Sequence, residues 1–352
     1  MKLSEAPLVE EALPSSEFYP VSVDWRKRTL SFVRIGRETY NSAAFLVPRH
    51  TDMGKKVYTF NVDDLLLHAR QSPWPTFPSH YVLISAFCCS TLLARYIDEL
   101  GVSLVLKEPG LLAQLGFIKY DRSDLEGNEW AELVNLSLGL MARVFSNQNS
   151  VIVKPSDIGS LIAEDILGHD ARSRMLLLSV PLRTFTLSVL KSSGRRDWVR
   201  VRAKYWHKNV AHRFGLGDVE LRQMDDAKKS AFIWLITNCL WLSVRQYTNH
   251  ERVLIMNGET ISMDPSSALR SLMDFFRIPV HDDVIRRAVE SDASSHHSKK
   301  PSKKYSAEQR SLDLLEWERS YGEEASDAIE WASRLAAKIG LRIGEGPVVE
   351  LS

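Results

Sequence analysis

The sequence predicts an α/β protein with a doubly wound, mostly parallel sheet, and three observations carry that prediction. Short apolar runs at residues 81–84, 103–106, 150–153, 174–178 and 252–256 alternate with stretches of helical spacing. Strands that alternate with helices are the pattern of parallel crossover units, with helices on both sheet faces. The first run stops at small residues (Ser85, Ala86) and passes into an amphipathic stretch from Leu92 to Leu100, with Gly101 as its stop. That is a buried strand, a tight loop and a helix start. Third, 352 residues with 44% apolar and 25% charged side chains suffice for one large domain with additions, or for two domains.

Ahead of that core, residues 1–17 form an acidic lead-in. The β-rich pieces 19–23, 29–34 and 43–46, separated by charged turns, predict a small antiparallel meander. Asn61 can cap a short helix through Arg70, and Ser72-Pro73-Trp74-Pro75 breaks the chain before the main strand. Within the core, helices are expected over about 129–145, 158–167, 226–246 and 266–276. The stretch 194–222 is basic and aromatic, residues 292–304 are polar and basic, and a final helix is expected over about 307–339. These shifts divide the chain into an N-terminal extension (1–75), an α/β core (76–290) and a basic loop with a C-terminal helix (291–352).

Composition excludes several functions. The formal charge is +1, so no global field attracts nucleic acid or an anionic membrane, and any anion site must be local. Three cysteines, two of them adjacent, make neither a disulfide framework nor a zinc spacing, and no metal is expected. That usage fits a reducing, cytoplasmic setting, and the N-terminus lacks a charged-then-apolar signal pattern. The longest apolar stretch, 231–244, contains Thr237 and Asn238 and is too short to span a bilayer, so it predicts a buried helix.

The chemistry is expected at the loop after the first core strand. A helix N-terminus carries unpaired N–H groups and partial positive charge, so it can hold an anion, while Ser90 and Thr91 can cap it and add hydroxyls. An ordinary strand-to-helix turn has the same outline. In open α/β sheets ligands sit beyond the carboxyl ends of the strands. Those ends carry Lys107 and Glu108, Lys154 and Ser156, and Arg183. Glu108 is the candidate general base, or the partner of Lys107 or another loop cation. Cys89 and Arg95 have the Cys-x5-Arg spacing of thiol phosphatases, but the residues between them read as helix. No lysine precedes Ser90 or Thr91 as nucleoside triphosphate hydrolysis requires.

Three motifs carry a resemblance. The first is Ser85-Ala86-Phe87-Cys88-Cys89-Ser90-Thr91-Leu92-Leu93. The second is Arg183-Thr184-Phe185-Thr186-Leu187-Ser188. The third is Glu259 with Asp264-Pro265, ending at Phe275-Phe276-Arg277-Ile278-Pro279. Over roughly residues 78–280 the layout resembles the sulfotransferase family, as a divergent, bacterial-like member. Hydroxyls and the leucine pair match the family's phosphosulfate loop, whereas Phe87 stands where members usually place a cation, and the loop glycine is missing. The resemblance implies a P-loop-type fold and 3′-phosphoadenosine 5′-phosphosulfate as co-substrate. It implies donor binding by Phe87, Cys88, Cys89, Ser90, Thr91, Arg183 and Ser188, with Arg183 and Ser188 on the 3′-phosphate. The sulfuryl group would pass to a hydroxyl or amine of a small-molecule acceptor, with Glu108 and Lys107 as the catalytic pair. Lys107 and Lys154 are candidates to replace the charge missing at Phe87. Trp198 or Trp206 can stack on the base, Glu259 is expected to be structural, and the cluster from Lys299 to Lys304 loosely resembles the family's basic C-terminal segment. The alternatives are a non-catalytic protein that kept the nucleotide cleft and another P-loop nucleotide-dependent enzyme.

Overall fold

The computed structural model describes residues 9–48, 56–121, 125, 127–291, 296–297, 300–304 and 307–351; of residues 12, 296–297, 300–304 and 307–308 the backbone alone is described. The expected N-terminal meander is present, with one strand exchanged. β1 (Phe18–Asp24), β2 (Thr29–Arg34) and β3 (Val57–Asn61) pair antiparallel in that order. The expected third strand at 43–46 is not one: it follows the helix Arg37–Ser42 as irregular chain. Its apolar side chains reflect burial rather than pairing. Leu46 is fully buried; its N–H donates to the Lys107 carbonyl at 2.6 Å and its carbonyl accepts the Tyr19 hydroxyl at 3.1 Å. β3 supplies the missing strand from Tyr58, Thr59 and Phe60, β-forming residues whose faces alternate in exposure. Asn61 caps the helix Val62–Gln71, as expected, through the Asp63 N–H at 2.7 Å.

The main sheet is parallel and five-stranded: β4 (Ser79–Ile84), β5 (Leu104–Lys107), β6 (Val151–Lys154), β7 (Met175–Ser179) and β8 (Val253–Asn257), in the order β5-β6-β4-β7-β8. Every residue of β4 to β7 is buried, which is why these strands read as continuous apolar runs rather than alternations. Of the two edge strands, β8 is half-buried throughout whereas β5 is covered. Helices flank the sheet. The expected 158–167 helix opens as a 3₁₀ turn, Asp157–Ile162, before Ala163–His169. Helices not expected from periodicity include Arg37–Ser42, Gly110–Asp121, Leu182–Leu190 and Asp282–Glu290. The hairpins β9 (His296–His297) with β10 (Lys300–Lys304) and β11 (Leu341–Ile343) with β12 (Val349–Leu351) were also not expected.

By its contacts the chain forms two compact units. The first comprises the described residues of Met1–Leu83, Thr91–Leu176 and Leu269–Ser294. Within it a buried arginine fastens the N-terminal extension: Arg143 donates to the carbonyls of Leu13 (2.9 Å), Phe18 (2.6 Å) and Leu140 (2.6 Å). The second comprises the described residues of Ile84–Ser90, Leu177–Ala268 and Ser295–Ser352. Its centre is the helix Asp226–Tyr247, capped by Asp225 and buried along most of its length, as residues 231–244 predicted. Its Trp234 indole donates to the Val180 carbonyl at 2.9 Å, which satisfies the one polar group of a large buried ring. The C-terminal helix Ala307–Lys338 covers the helix Leu182–Leu190 through Trp317 and Ala325 on Leu187. Among the described residues no helix is long and apolar enough to cross a membrane.

Candidate functional site

In the second unit, the loop from Ile84 to Ser90 leaves β4 and enters the helix Ser90–Leu100. Three of its non-glycine residues hold left-handed backbone: Ala86 (φ 62°), Phe87 (φ 53°) and Cys89 (φ 62°). Each costs on the order of 1–3 kcal/mol, and such strain persists only where the surroundings enforce it. Two contacts do so. Ser85 N–H donates to Leu178 O at 3.1 Å, and Gly258, after β8, lies against the Cys88 carbonyl, where an added Cβ would sit only 2.2 Å away. Gly258 is therefore required by close backbone approach. Ser90 and Thr91 are buried in the first turn of the helix. Cys88 is buried and Cys89 half-buried, and neither is in a disulfide. The residues between Cys89 and Arg95 are helical, so the wide loop of a thiol phosphatase does not form.

Arg183 and Ser188 lie on one helix, Leu182–Leu190, packed in the same unit. Both are engaged by other side chains. The Arg183 guanidinium is held by Glu318 of the C-terminal helix: Nε donates to Oε2 at 3.0 Å and Nη2 to Oε1. Nη1 donates to the Ser326 hydroxyl at 3.0 Å and Nη2 to the Gly322 carbonyl at 3.3 Å. Hydrogen bonding to Arg183 holds the Glu318 carboxyl below its ordinary value. Ser188 is buried and receives Arg195: Nη1 donates to its carbonyl at 2.9 Å and to its hydroxyl. Glu259 accepts from the Thr184 hydroxyl of this helix at 3.1 Å.

The basic-aromatic stretch forms the helix Ser193–Asn209. It brings Arg195 onto the loop, with the guanidinium 4.4 Å from the Phe87 ring centroid. Trp198 meets the same ring edge-on at 5.1 Å, and Phe185 lies 5.9 Å away. Trp206, by contrast, is 1% exposed and belongs to the core, so of the two tryptophans only Trp198 lies on the loop. Lys191, one turn beyond Ser188, sits 3.2 Å over the Trp317 ring. Burial and the neighbouring Arg195 charge push its ammonium down to about 7, and Arg310, Asp313 and Cys89 act on it as well. Neither Glu318 nor Lys191 was singled out in the sequence. Lys191 has the linear signal of lying three residues after Ser188, but Glu318 has none, because its partner is 135 residues away.

The remaining candidates lie in the first unit. Glu108 follows β5 with left-handed backbone (φ 51°), and its carboxylate accepts from Lys154 at 2.5 Å. The partner is thus Lys154, itself 1% exposed, rather than Lys107. The Lys107 ammonium is buried and committed to Asp98 and to the carbonyls of Tyr40 (3.1 Å) and Asn41 (2.7 Å). It fastens the N-terminal extension to β5. Of the 299–304 cluster, Lys299 lies outside the described residues, and 300–304 form β10. Among the described residues no cluster of three His, Cys, Asp or Glu side chains could hold a metal ion.

No family model matches the chain, and no curated protein matches it. Solved structures it is similar to include sulfotransferases. The sulfotransferase domain from the curacin biosynthetic pathway is 15% identical, with 66% of this chain and 85% of that one covered and a TM-score of 0.40. Sulfotransferase STF9 from Mycobacterium avium is 11% identical, covering 74% of this chain and 82% of that one, with a TM-score of 0.40. Mouse sulfotransferase SULT7A1, complexed with PAP, is 11% identical over 78% of this chain and 89% of that one, with a TM-score of 0.37.

Proposed function

We propose that the protein binds 3′-phosphoadenosine 5′-phosphosulfate and transfers its sulfuryl group to a hydroxyl or amine of a small molecule. The observation that carries this reading is the strained loop Ile84–Ser90, with left-handed Ala86, Phe87 and Cys89, in the same unit as the helix bearing Arg183 and Ser188. Strain of that kind collects at ligand-binding loops. A strand-to-helix loop directs backbone N–H groups and a helix start at an anion, and a planar guanidinium suits a terminal phosphate. The loop with Ser90 and Thr91 would hold the phosphosulfate, and Arg183 with Ser188 the 3′-phosphate. The donor supplies a sulfuryl group on a good leaving phosphate. Fixed donors and cations stabilise the charge that grows on the bridging oxygen as its bond to sulfur breaks. The acceptor hydroxyl forms the new bond to sulfur and gives up a proton, for which Glu108 is the candidate base.

Binding is tested by comparing melting shifts with adenosine 3′,5′-bisphosphate and adenosine 5′-monophosphate. A ligand that binds only the native state raises apparent stability by mass action. The bisphosphate should stabilise far more, and equal shifts for the two would sink the reading. Turnover is then sought with labelled donor and a panel of phenols, sugars and amines. Phe87, standing where the loop would be expected to carry a cation, favours one second reading, a binder without turnover. That protein would bind the bisphosphate yet transfer nothing to any acceptor.

A further inference from the structure

We propose that Arg195 supplies the positive charge of the loop's anion site, laid over the loop on the ring of Phe87, and so contacts the 5′-anion of the bound nucleotide. This rests on the donor reading above. The loop needs a charge from elsewhere, because residues 84–91 include no basic side chain. Arg195 lies on it, 4.4 Å from the Phe87 centroid and delivered by the helix Ser193–Asn209.

Phe87 is shaped for this. Its left-handed backbone (φ 53°) is unusual for a bulky residue, and its ring is braced by Trp198 and Phe185. An aromatic face attracts a guanidinium, whose plane can lie on the ring while its edge donates to an anion. Nη1 of Arg195 is bonded to the carbonyl and hydroxyl of Ser188, which fixes the guanidinium between loop and helix. Crowding points the same way. Arg195 and Arg310 both repel the Lys191 ammonium, against Asp313 and Cys89, which favour its charge. Like charges brought together in a half-buried place are relieved by an anion.

The alternative role for Arg195 is to position Ser188, and two nucleotides separate them. Adenosine 3′,5′-bisphosphate carries both anions, and adenosine 3′-monophosphate carries only the one assigned to Arg183 and Ser188. Arg195→Gln removes the charge and leaves a shorter, neutral amide donor. Calorimetric titration should show the bisphosphate weakened about 10- to 100-fold, the range for hydrogen bonds to charged groups, with the 3′-monophosphate unchanged within about twofold. Adding Phe87→Lys to Arg195→Gln should recover at least about tenfold for the bisphosphate by putting a charge back on the loop. Equal weakening of both nucleotides, no weakening of either, or no recovery in a double variant that melts like the parent would overturn the assignment. If the parent binds neither nucleotide, the donor reading itself fails and takes this assignment with it.

Discussion

Arg183 and Glu318 form a two-point ion pair between the helix Leu182–Leu190 and the C-terminal helix, and it occupies the guanidinium expected to meet a 3′-phosphate. Their side chains are 40% and 41% exposed. A pair that exposed contributes about 0–1 kcal/mol. Hydrogen bonds from a guanidinium to a phosphate contribute about 1.5–3 kcal/mol, so phosphate wins the competition.

The first prediction follows from those magnitudes. Glu318→Gln removes the competing charge and should tighten adenosine 3′,5′-bisphosphate by about two- to fivefold, the equivalent of a surface pair. Arg183→Ala should weaken it by about 1.5–3 kcal/mol. Unchanged bisphosphate affinity in Arg183→Ala would make this arginine only a fastener of the C-terminal helix.

Gly258 gives a stability prediction. A methyl at this position meets the Cys88 carbonyl, a backbone atom that cannot rotate away. Gly258→Ala should destabilise by about 1–3 kcal/mol, the usual cost of overpacking, and should weaken the bisphosphate because the loop must move. Denaturant midpoints and a binding titration measure the two effects.

Glu108 separates catalysis from packing. Glu108→Gln should cut turnover by about 10² to 10⁴, the contribution of a general base, with donor affinity little changed. It also leaves the buried Lys154 ammonium facing a neutral partner, which costs stability. Adding Lys154→Met should restore stability without restoring turnover. Full turnover in Glu108→Gln would remove the residue from the catalytic set.

The cysteines are expected to fill the loop rather than react. Cys88→Ala or Cys89→Ser should leave bisphosphate binding within a few-fold. A phosphatase activity present in the parent and lost in Cys89→Ser would instead revive the thiol mechanism.

His80 predicts acid sensitivity in the first unit. It is 3% exposed, stacks on Phe276 at 4.7 Å, and its Nδ1 has no hydrogen-bond partner among the described residues. Burial, with Arg174 nearby, pushes its pKa down to about 4. The unfolded chain takes up this proton near pH 6.5 and the folded chain does not. Stability from this group is therefore whole above about pH 6.5 and declines as pH falls toward about 4, by on the order of 3 kcal/mol. Relative to the parent, His80→Phe should lose less stability between pH 7 and pH 4.5 in urea titrations.

The sequence by itself determined the sheet's five strands, the loop after β4 and the buried helix Asp226–Tyr247, while the helix that carries both Arg183 and Ser188 was seen only in the structure. The first three features rest on local periodicity, capping and chain punctuation, which act over a few residues. Tertiary structure decided the rest. The apolar piece 43–46 looks like a strand, yet its burial comes from Tyr19 and Lys107, and Val57–Asn61 takes the place in the sheet. Gly110–Asp121 spreads apolar residues around the helix, so its sequence shows no stripe although Leu111, Leu112, Leu115 and Gly116 are buried on one face. The same holds for partners. Glu108 meets Lys154 across 46 residues rather than Lys107 beside it, Arg195 reaches Phe87 from another helix, and Glu318 finds Arg183 across 135 residues. Charge pairing depends on distance in space, and the packing of separate elements sets that distance.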